Sequence, residues 1–269
     1  MKKTILITGS TDGIGFATAN SLSSLGHTVL LHGRSAGKLA SAKAHLSDQN
    51  IETYQADLSR LDDVYSLVEQ IRAKHSTLDV IINNAGVYTA PVVVSEDGLD
   101  VRYMVNTIAP YLLTQQLLPL LSPNGRVVNL SSAAQAPISS SELSTPSELA
   151  DGPVYAKSKL ALTMWSRHMA ESLGKHGPVI VAVNPKSLLG SKMVKEAYGI
   201  AGGNLQDGAD ILTKAALSDE FANASGLYFD NDIGQFSAPH ADALDPEKNA
   251  EICRTLDQIL AQRHGLSSE

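Results

Sequence analysis

Thr4-Ile5-Leu6-Ile7-Thr8-Gly9-Ser10-Thr11-Asp12-Gly13-Ile14-Gly15 begins three residues into the chain, and its reading decides the fold. Thr4–Thr8 is a short apolar run ending in glycine, which predicts a buried strand. Ile14, Ala17, Leu22 and Leu25 then recur at helical spacing over Ile14–Leu25, and Gly26 stands where a helix ends on a C′ glycine. Glycines between a strand and a helix allow a tight turn and a close approach of backbone to a ligand. The helix start offers free N–H groups and partial positive charge. Gly9, Ser10, Thr11, Asp12, Gly13, Ile14 and Gly15 are therefore expected to cradle a pyrophosphate. A plain strand–helix turn would carry similar glycines; its place at the chain's first such junction favours the nucleotide.

Outward from this turn the alternation repeats. Apolar runs predict strands at Thr28–His32, Ile51–Gln55, Leu78–Ile82, Arg126–Leu130 and Val179–Val183, with a last short one at Gly226–Phe229. Helices are predicted at Ser35–Ser47, Leu61–Lys74, Leu99–Leu121 despite Pro110 and Pro119, Tyr155–Leu173, Asp207–Leu217 and Glu247–Gln262. Fully apolar strands alternating with helices require parallel pairing with helices on both faces. The expectation is one α/β domain over 1–269, a Rossmann-like doubly wound sheet. Ala136–Pro153 is rich in Ser, Pro and Glu and is expected to be a surface loop, part of it bordering the substrate entrance.

Composition excludes several classes. The 269 residues carry 21 Lys+Arg and 28 Asp+Glu, a formal charge of −7 with no basic block, which argues against a nucleic-acid partner. Cys253 is the sole cysteine, so no intrachain disulfide or multi-cysteine zinc site can form. The eight histidines show no metal spacing, and no metal is expected. No stretch approaches the ~18 apolar residues of a membrane span, and the apolar start is too short for a signal peptide. A cytoplasmic protein without a membrane partner is expected.

Four further segments carry a resemblance. Asn83-Asn84-Ala85-Gly86 follows the fourth strand, and Val105-Asn106-Thr107 lies in the next helical stretch. Val128-Asn129-Leu130-Ser131-Ser132 ends a strand, and Tyr155-Ala156-Lys157-Ser158-Lys159 has the pattern YxxxK. With TGxxxGxG at Thr8–Gly15, and in this order, the chain resembles the short-chain dehydrogenase/reductase superfamily. The long separation of Ser132 from Tyr155 is similar to its retinol-dehydrogenase and protochlorophyllide-reductase-like branch. The resemblance implies about seven parallel strands and a catalytic set of Asn106, Ser132, Tyr155 and Lys159. It also implies that Lys159 holds the nicotinamide ribose, Ser132 bonds the substrate oxygen and Asn106 holds a water leading to solvent. Asn84, Ala85 and Gly86 would line the cofactor cleft, Asp57 and Leu58 would meet the adenine, and Pro185 would lie near the nicotinamide. Lys186 stands where the family usually has glycine. Many relatives form dimers or tetramers, so the resemblance leaves a homo-oligomer open.

The residues themselves say what chemistry follows. Tyr155 and Lys159 are four apart and share a helix face. A neighbouring ammonium and an oxidised nicotinamide both favour phenolate and would draw the tyrosine down from about 10. Tyr155 is thus a general acid for carbonyl reduction and a base for alcohol oxidation. His32-Gly33-Arg34-Ser35 closes the second strand without the acidic residue that would hold a ribose 2′-hydroxyl. Arg34 can grip a 2′-phosphate through paired hydrogen bonds, with Ser35 adding another, so NADP(H) is expected in preference to NAD(H). Asp12 in the glycine turn is a contrary sign unless it caps the following helix. The reading is an NADP-dependent oxidoreductase moving hydride between NADP(H) and a small or apolar aldehyde or ketone and its alcohol. The alternative is a non-catalytic NADP(H)-sensing Rossmann protein that regulates a partner. A nucleotide-sugar epimerase is disfavoured by the glycine spacing.

Overall fold

The computed structural model describes residues 1–46 and 50–266, so Ser47 of the expected second helix lies outside the described residues. Strands β1 (Thr4–Ile7), β2 (Thr28–Gly33), β3 (Ile51–Gln55) and β4 (Leu78–Asn83) alternate with α1 (Gly13–Ser24), α2 (Ala36–Leu46) and α3 (Leu61–Lys74). The second half runs through α4 (Val101–Tyr103), α5 (Ala109–Leu117), β5 (Leu121–Leu130), α6 (Asp151–Leu173) and β6 (Val179–Asn184). It continues with α7 (Lys192–Tyr198), α8 (Leu205–Leu217), β7 (Tyr228–Asp230), β8 (Gln235–Ser237) and α9 (Pro246–Leu266).

One sheet results, in the order β3-β2-β1-β4-β5-β6-β7-β8. The pairs from β3 through β7 are parallel, and β8 returns antiparallel on β7, an eighth strand beyond the seven expected. Ile7 pairs with Leu31 on one side and Ile82 on the other, so the chain reverses its winding direction at β1. Ligands of open α/β sheets bind outside such a switch point, at the carboxyl ends of the strands. Both faces are covered. Val64, Leu67, Leu112, Trp165 and Leu256 belong to the core on one side, and Ala19, Leu22, Leu212 and Phe221 to the core on the other.

Several expected boundaries moved, each for a physical reason. The helical segment expected at Leu99–Leu121 runs without a break from Val101 to Leu120 but changes its hydrogen-bond step on the way. A π-turn over Met104–Ile108 precedes α5, with the Ala109 N–H donating to Met104 O. Pro110, which has no N–H to give, sits in the first turn of α5, where none is needed. A 3-10 turn at Leu118–Leu120 contains Pro119 and ends the helix, and β5 starts at Leu121, five residues before expected, with an irregular register opposite Leu78–Val80. α6 begins at Asp151, ahead of Tyr155, and the short strand expected at Gly226–Phe229 is Tyr228–Asp230. The Ser132–Tyr155 insertion is not a loose loop. Ser140–Ser144 forms a 3-10 turn with a Ser139/Glu142 capping box, and Leu143 is 0% exposed. Among the described residues no helix is long and apolar enough to cross a membrane.

Candidate active site

The glycine turn is locked to the strands beside it. Gly9 has φ +63° and Gly13 φ +57°, conformations that side chains resist. A Cβ on Gly9 would stand 2.8 Å from the Ala85 Cα, and one on Gly15 would collide with the Asn84 amide. Asn84 Nδ2 donates to Thr8 O and Gly9 O at 2.9 and 3.0 Å, and the amides of Asn84 and Ala85 both donate to Thr8 Oγ1 at 3.0 Å. Around Gly13 the nearest atom to an added Cβ would be Ser191 Cβ at 4.0 Å, so the start of α1 keeps an open face. That cradle, beside helical N–H groups, suits a pyrophosphate. Asp12 is the N-cap of α1 and accepts from Gly13 N at 2.7 Å, which satisfies its carboxylate locally. Ile14 faces α8, where Gly208 leaves it room.

Two residues of the cofactor set point elsewhere than expected. Ser10 is fully buried. Its N–H and its Oγ both donate to His32 O, at 3.0 and 3.4 Å, and its Oγ accepts from His32 N at 2.9 Å, so neither donor is directed at a phosphate. Leu58 turns into the core beside Leu61, because the chain bends there to start α3. Its neighbour Asp57 accepts from Ser59 N and Oγ at 2.9 and 2.8 Å and donates its own N–H to Asp63 Oδ2 at 2.8 Å, a turn that leads into α3.

Arg34 is exposed immediately after β2, and among the described residues no carboxylate pairs with its guanidinium. Ser35 accepts weakly from Lys38 N at 3.4 Å at the head of α2. A cavity of about 280 Å³ next to them is lined by Thr11, Asp12, Phe16, Lys38, Ser41, Ala42 and His45. Lys38 was not singled out in the sequence. Its signal was available, since it follows Arg34 by four residues at the start of a helix.

The four residues expected to be catalytic, Asn106, Ser132, Tyr155 and Lys159, come together at the carboxyl ends of β4 and β5. α6 presents Tyr155 and Lys159 on one face, the Lys159 Nζ lying 5.6 Å from the Tyr155 ring centre. Lys159 Nζ donates to Leu130 O at 2.7 Å, and no carboxylate among the described residues neutralises it. Burial lowers it to about 8. Burial also pushes the Tyr155 phenol up to about 12, against a hydrogen bond with Ser132 that pulls it down. Without a bound dinucleotide, then, Tyr155 is a protonated acid. Ser132 is held from both sides: its Oγ accepts from Ala134 N at 3.1 Å, and its carbonyl accepts from Tyr228 Oη at 3.1 Å.

Asn106 is buried within the π-turn. Its Oδ1 accepts from Val87 N at 2.8 Å, and its Nδ2 donates to Val87 O and Ser158 Oγ at 2.9 and 3.0 Å. The side chain thus braces the segment after Gly86 against α6. Gly86 lies over this brace, since a Cβ there would be 3.4 Å from Asn106 Oδ1 and 3.6 Å from Lys159 Nζ. Ser158, not singled out before, also bonds Tyr155 O at 2.7 Å.

Pro185 is buried, and Lys186 adopts φ 121°, a region that suits glycine. Its ammonium pairs with Asp207 at 2.6 Å, while Asp232 accepts from Ser187 N and Oγ at 2.8 and 2.5 Å. These bonds hold a backbone that the side chain alone would resist. Cys253 is buried in the core and pushed up to about 12 by burial. Among the described residues no group of His, Cys, Asp and Glu is arranged to hold a metal.

The chain is similar to known proteins over most of its length. A family model described as short chain dehydrogenase matches residues 3–198. Human polyprenol dehydrogenase is 31% identical over 66% of this chain, the aligned stretch spanning 57% of that protein. Human retinol dehydrogenase 13 is 27% identical over 99% of this chain and 86% of its own length. Among solved structures, a Shigella flexneri 2a protein described as a short chain dehydrogenase complexed with NADP superimposes with a TM-score of 0.68 at 25% identity. It covers 85% of this chain and 96% of that one.

Proposed function

The chain belongs to the short-chain dehydrogenase family, an oxidoreductase acting on CH–OH and C=O groups, and on that premise we propose that it is an NADP(H)-dependent carbonyl reductase. The observation that carries the reading is a protonated Tyr155 hydrogen-bonded to Ser132, with the unneutralised Lys159 ammonium on the same helix face.

The glycine turn, with Asn84, Ala85 and Gly86, would hold the dinucleotide's pyrophosphate and nicotinamide half, and Arg34 its 2′-phosphate. A bound dinucleotide would supply hydride chemistry, and Tyr155 would deliver the proton that the carbonyl oxygen takes up as the alcohol forms. Ser132 donates to the same oxygen and stabilises the charge that develops there. Lys159 would hold the ribose hydroxyls of a bound dinucleotide, and its ammonium on the same face would favour the phenolate that Tyr155 becomes on giving up its proton. Asn106 acts through the Val87 and Ser158 contacts that fix the cleft wall.

An apolar aldehyde or ketone suits the surroundings. Val92, Val94, Leu149, Leu188 and Ile200 are all exposed, on the three segments closest in sequence to the site's walls. Two relatives are named for apolar alcohols, polyprenol and retinol. A sensor that binds NADP(H) without turnover is the weaker reading, because such a protein has no need of Tyr155, Lys159 and Ser132 together. We read the chain as one domain acting in the cytoplasm, as a monomer or homo-oligomer.

The test is titration with NADPH and NADH, followed by oxidation of NADPH with a panel of aldehydes, ketones and quinones. NADPH is expected to bind at least about tenfold tighter than NADH, a difference of about 1.4 kcal/mol. Arg34→Ala should remove most of that preference. Equal affinities in the wild type, or equal losses in the variant, would mean Arg34 does not select the phosphate. No turnover of any carbonyl would favour the sensor.

A further inference from the structure

Three tyrosine rings meet at the site from three different segments. Tyr88 lies just past Asn84-Ala85-Gly86-Val87, Tyr155 is on α6, and Tyr198 is the last residue of α7. The Tyr88 ring centre is 5.3 Å from that of Tyr155, the planes tilted by 44°, and 5.7 Å from that of Tyr198, tilted by 57°. The hydroxyls of Tyr88 and Tyr198 share a hydrogen bond. Gly152, in the first turn of α6, makes the seat for this arrangement: a Cβ there would stand 2.9 Å from Tyr88 Oη.

The rings are not packed as core. Tyr198 is 54% exposed, and Tyr88 is half-buried, whereas Tyr54, Tyr103 and Tyr111 are all buried. Two tilted aromatic rings next to the proposed proton donor therefore offer open surface to whatever carries the carbonyl. Aliphatic walls would accept any apolar group alike. Aromatic faces add a quadrupole term that rewards an offset or edge-on ring.

We propose that Tyr88 and Tyr198 form an aromatic clamp that selects carbonyl substrates bearing an aryl ring, the ring lying against the two tyrosines while the carbonyl oxygen reaches Tyr155. This rests on the reading of Tyr155 as the proton donor.

The experiment uses the NADPH-loaded full chain and two ketones, 4-phenylbutan-2-one and 4-cyclohexylbutan-2-one, whose carbonyls have the same neighbours and whose rings differ only in aromaticity. The wild type should favour the phenyl ketone in kcat/KM by about three- to tenfold, the range that aromatic pairing supplies beyond burial. Tyr88→Leu and Tyr198→Leu should each bring the ratio towards one, through a higher KM for the phenyl ketone. Tyr88→Phe, which keeps the ring, should retain the ratio. Gly152→Ala favours helix formation and so should leave folding intact, yet displace Tyr88 and lower the ratio. Saturation-transfer NMR gives a readout apart from turnover: the phenyl protons should be enhanced in the wild type and fade in Tyr88→Leu. Tyr155→Phe separates the two claims. It should stop turnover of both ketones while leaving the phenyl enhancement in place. Retained turnover in that variant defeats the acid assignment alone. A wild-type ratio of one, turnover of neither ketone, or an unchanged ratio in both leucine variants defeats the clamp.

Discussion

Burial holds the Tyr155 phenol at about 12, while on the same helix face it leaves the Lys159 ammonium at about 8. The four-residue spacing predicts that lysine lowers tyrosine. In the free protein desolvation outweighs that effect, and the positive nicotinamide has to supply the remainder. Ultraviolet titration of the wild type against Tyr155→Phe should therefore find a phenol near 12 that moves down by more than one unit when NADP⁺ is added. The same substitution should cut turnover by roughly 10²–10⁴ with cofactor still bound, as stopped-flow measurements would report. Lys159 carries a stability cost of known sign. Its folded value lies below the ordinary 10.5, so the charged form is disfavoured in the fold. The cost is full below pH 8, up to about 3 kcal/mol, and fades as pH rises to 10.5. Lys159→Met should therefore raise the melting temperature of the cofactor-free protein at pH 7, with a smaller gain at pH 10, while turnover collapses.

Three strand ends are tied by one imidazole. His32, at the end of β2, accepts from Gly9 N at 3.1 Å through Nδ1 and meets Ala56 O at 3.2 Å through Nε2. That pairing needs a neutral ring with its proton on Nε2. Burial supports the neutral form and lowers His32 to about 4. The imidazole thus contributes stability that is complete above pH 6.5 and lost as pH falls to 4, about 3 kcal/mol in all. His32→Leu should remove this acid limb from urea unfolding curves taken at pH 7, 5 and 4. It should also weaken dinucleotide binding at pH 7, because the Gly9 N–H is left without its acceptor. At the other side of the cleft the Lys186 backbone is the strained element. Lys186→Gly should gain about 1 kcal/mol from relieved strain, less whatever the Asp207 pair contributes, which for exposed partners is small.

Over the whole molecule, the insertion before Tyr155 acts as a brace between helices that cover one face of the sheet. Arg102 and Asp100 are both buried, joined at 2.7 Å, and Arg102 reaches on to Asp151 at 2.8 Å and to the carbonyls of Ser147 and Leu149. Against the burial penalty, the Arg102 side chain and the Ser147 and Arg102 amides hold Asp100 below its usual range. Lys157 pairs with Glu142 at 2.7 Å, and Ser140 donates to Glu251 on α9 at 2.6 Å. The insertion therefore ties α4, α6 and α9 together and fixes the start of the helix that carries Tyr155. Arg102→Ala would strand a buried carboxylate, and urea unfolding should show a loss of about 3–5 kcal/mol. Its effect on kcat should exceed that on NADPH affinity, since the glycine turn lies on the opposite half of the sheet.

The strand–helix alternation, the glycine turn and the Tyr155/Lys159 face were legible in the sequence because each depends on local spacing. Apolar period, a glycine where no side chain fits and a four-residue helical step are properties of short segments. The tertiary structure alone decided what distant segments do to one another. Ser10 turned to β2 and Leu58 to the core because neighbouring strands offered better partners than a ligand cleft. The helical segment at 99–121 kept its path but widened to a π-turn around the buried Asn106, just ahead of Pro110, which has no N–H to give. Asn106 and Val87, Gly152 and Tyr88, and Arg102 and Asp151 are each far enough apart in the chain that no periodicity links them. Their contacts arise from the packing of α4, α6 and the loop after β4 at the carboxyl ends of the central strands β4 and β5, and desolvation there sets the protonation of Tyr155 and Lys159, which spacing alone cannot do.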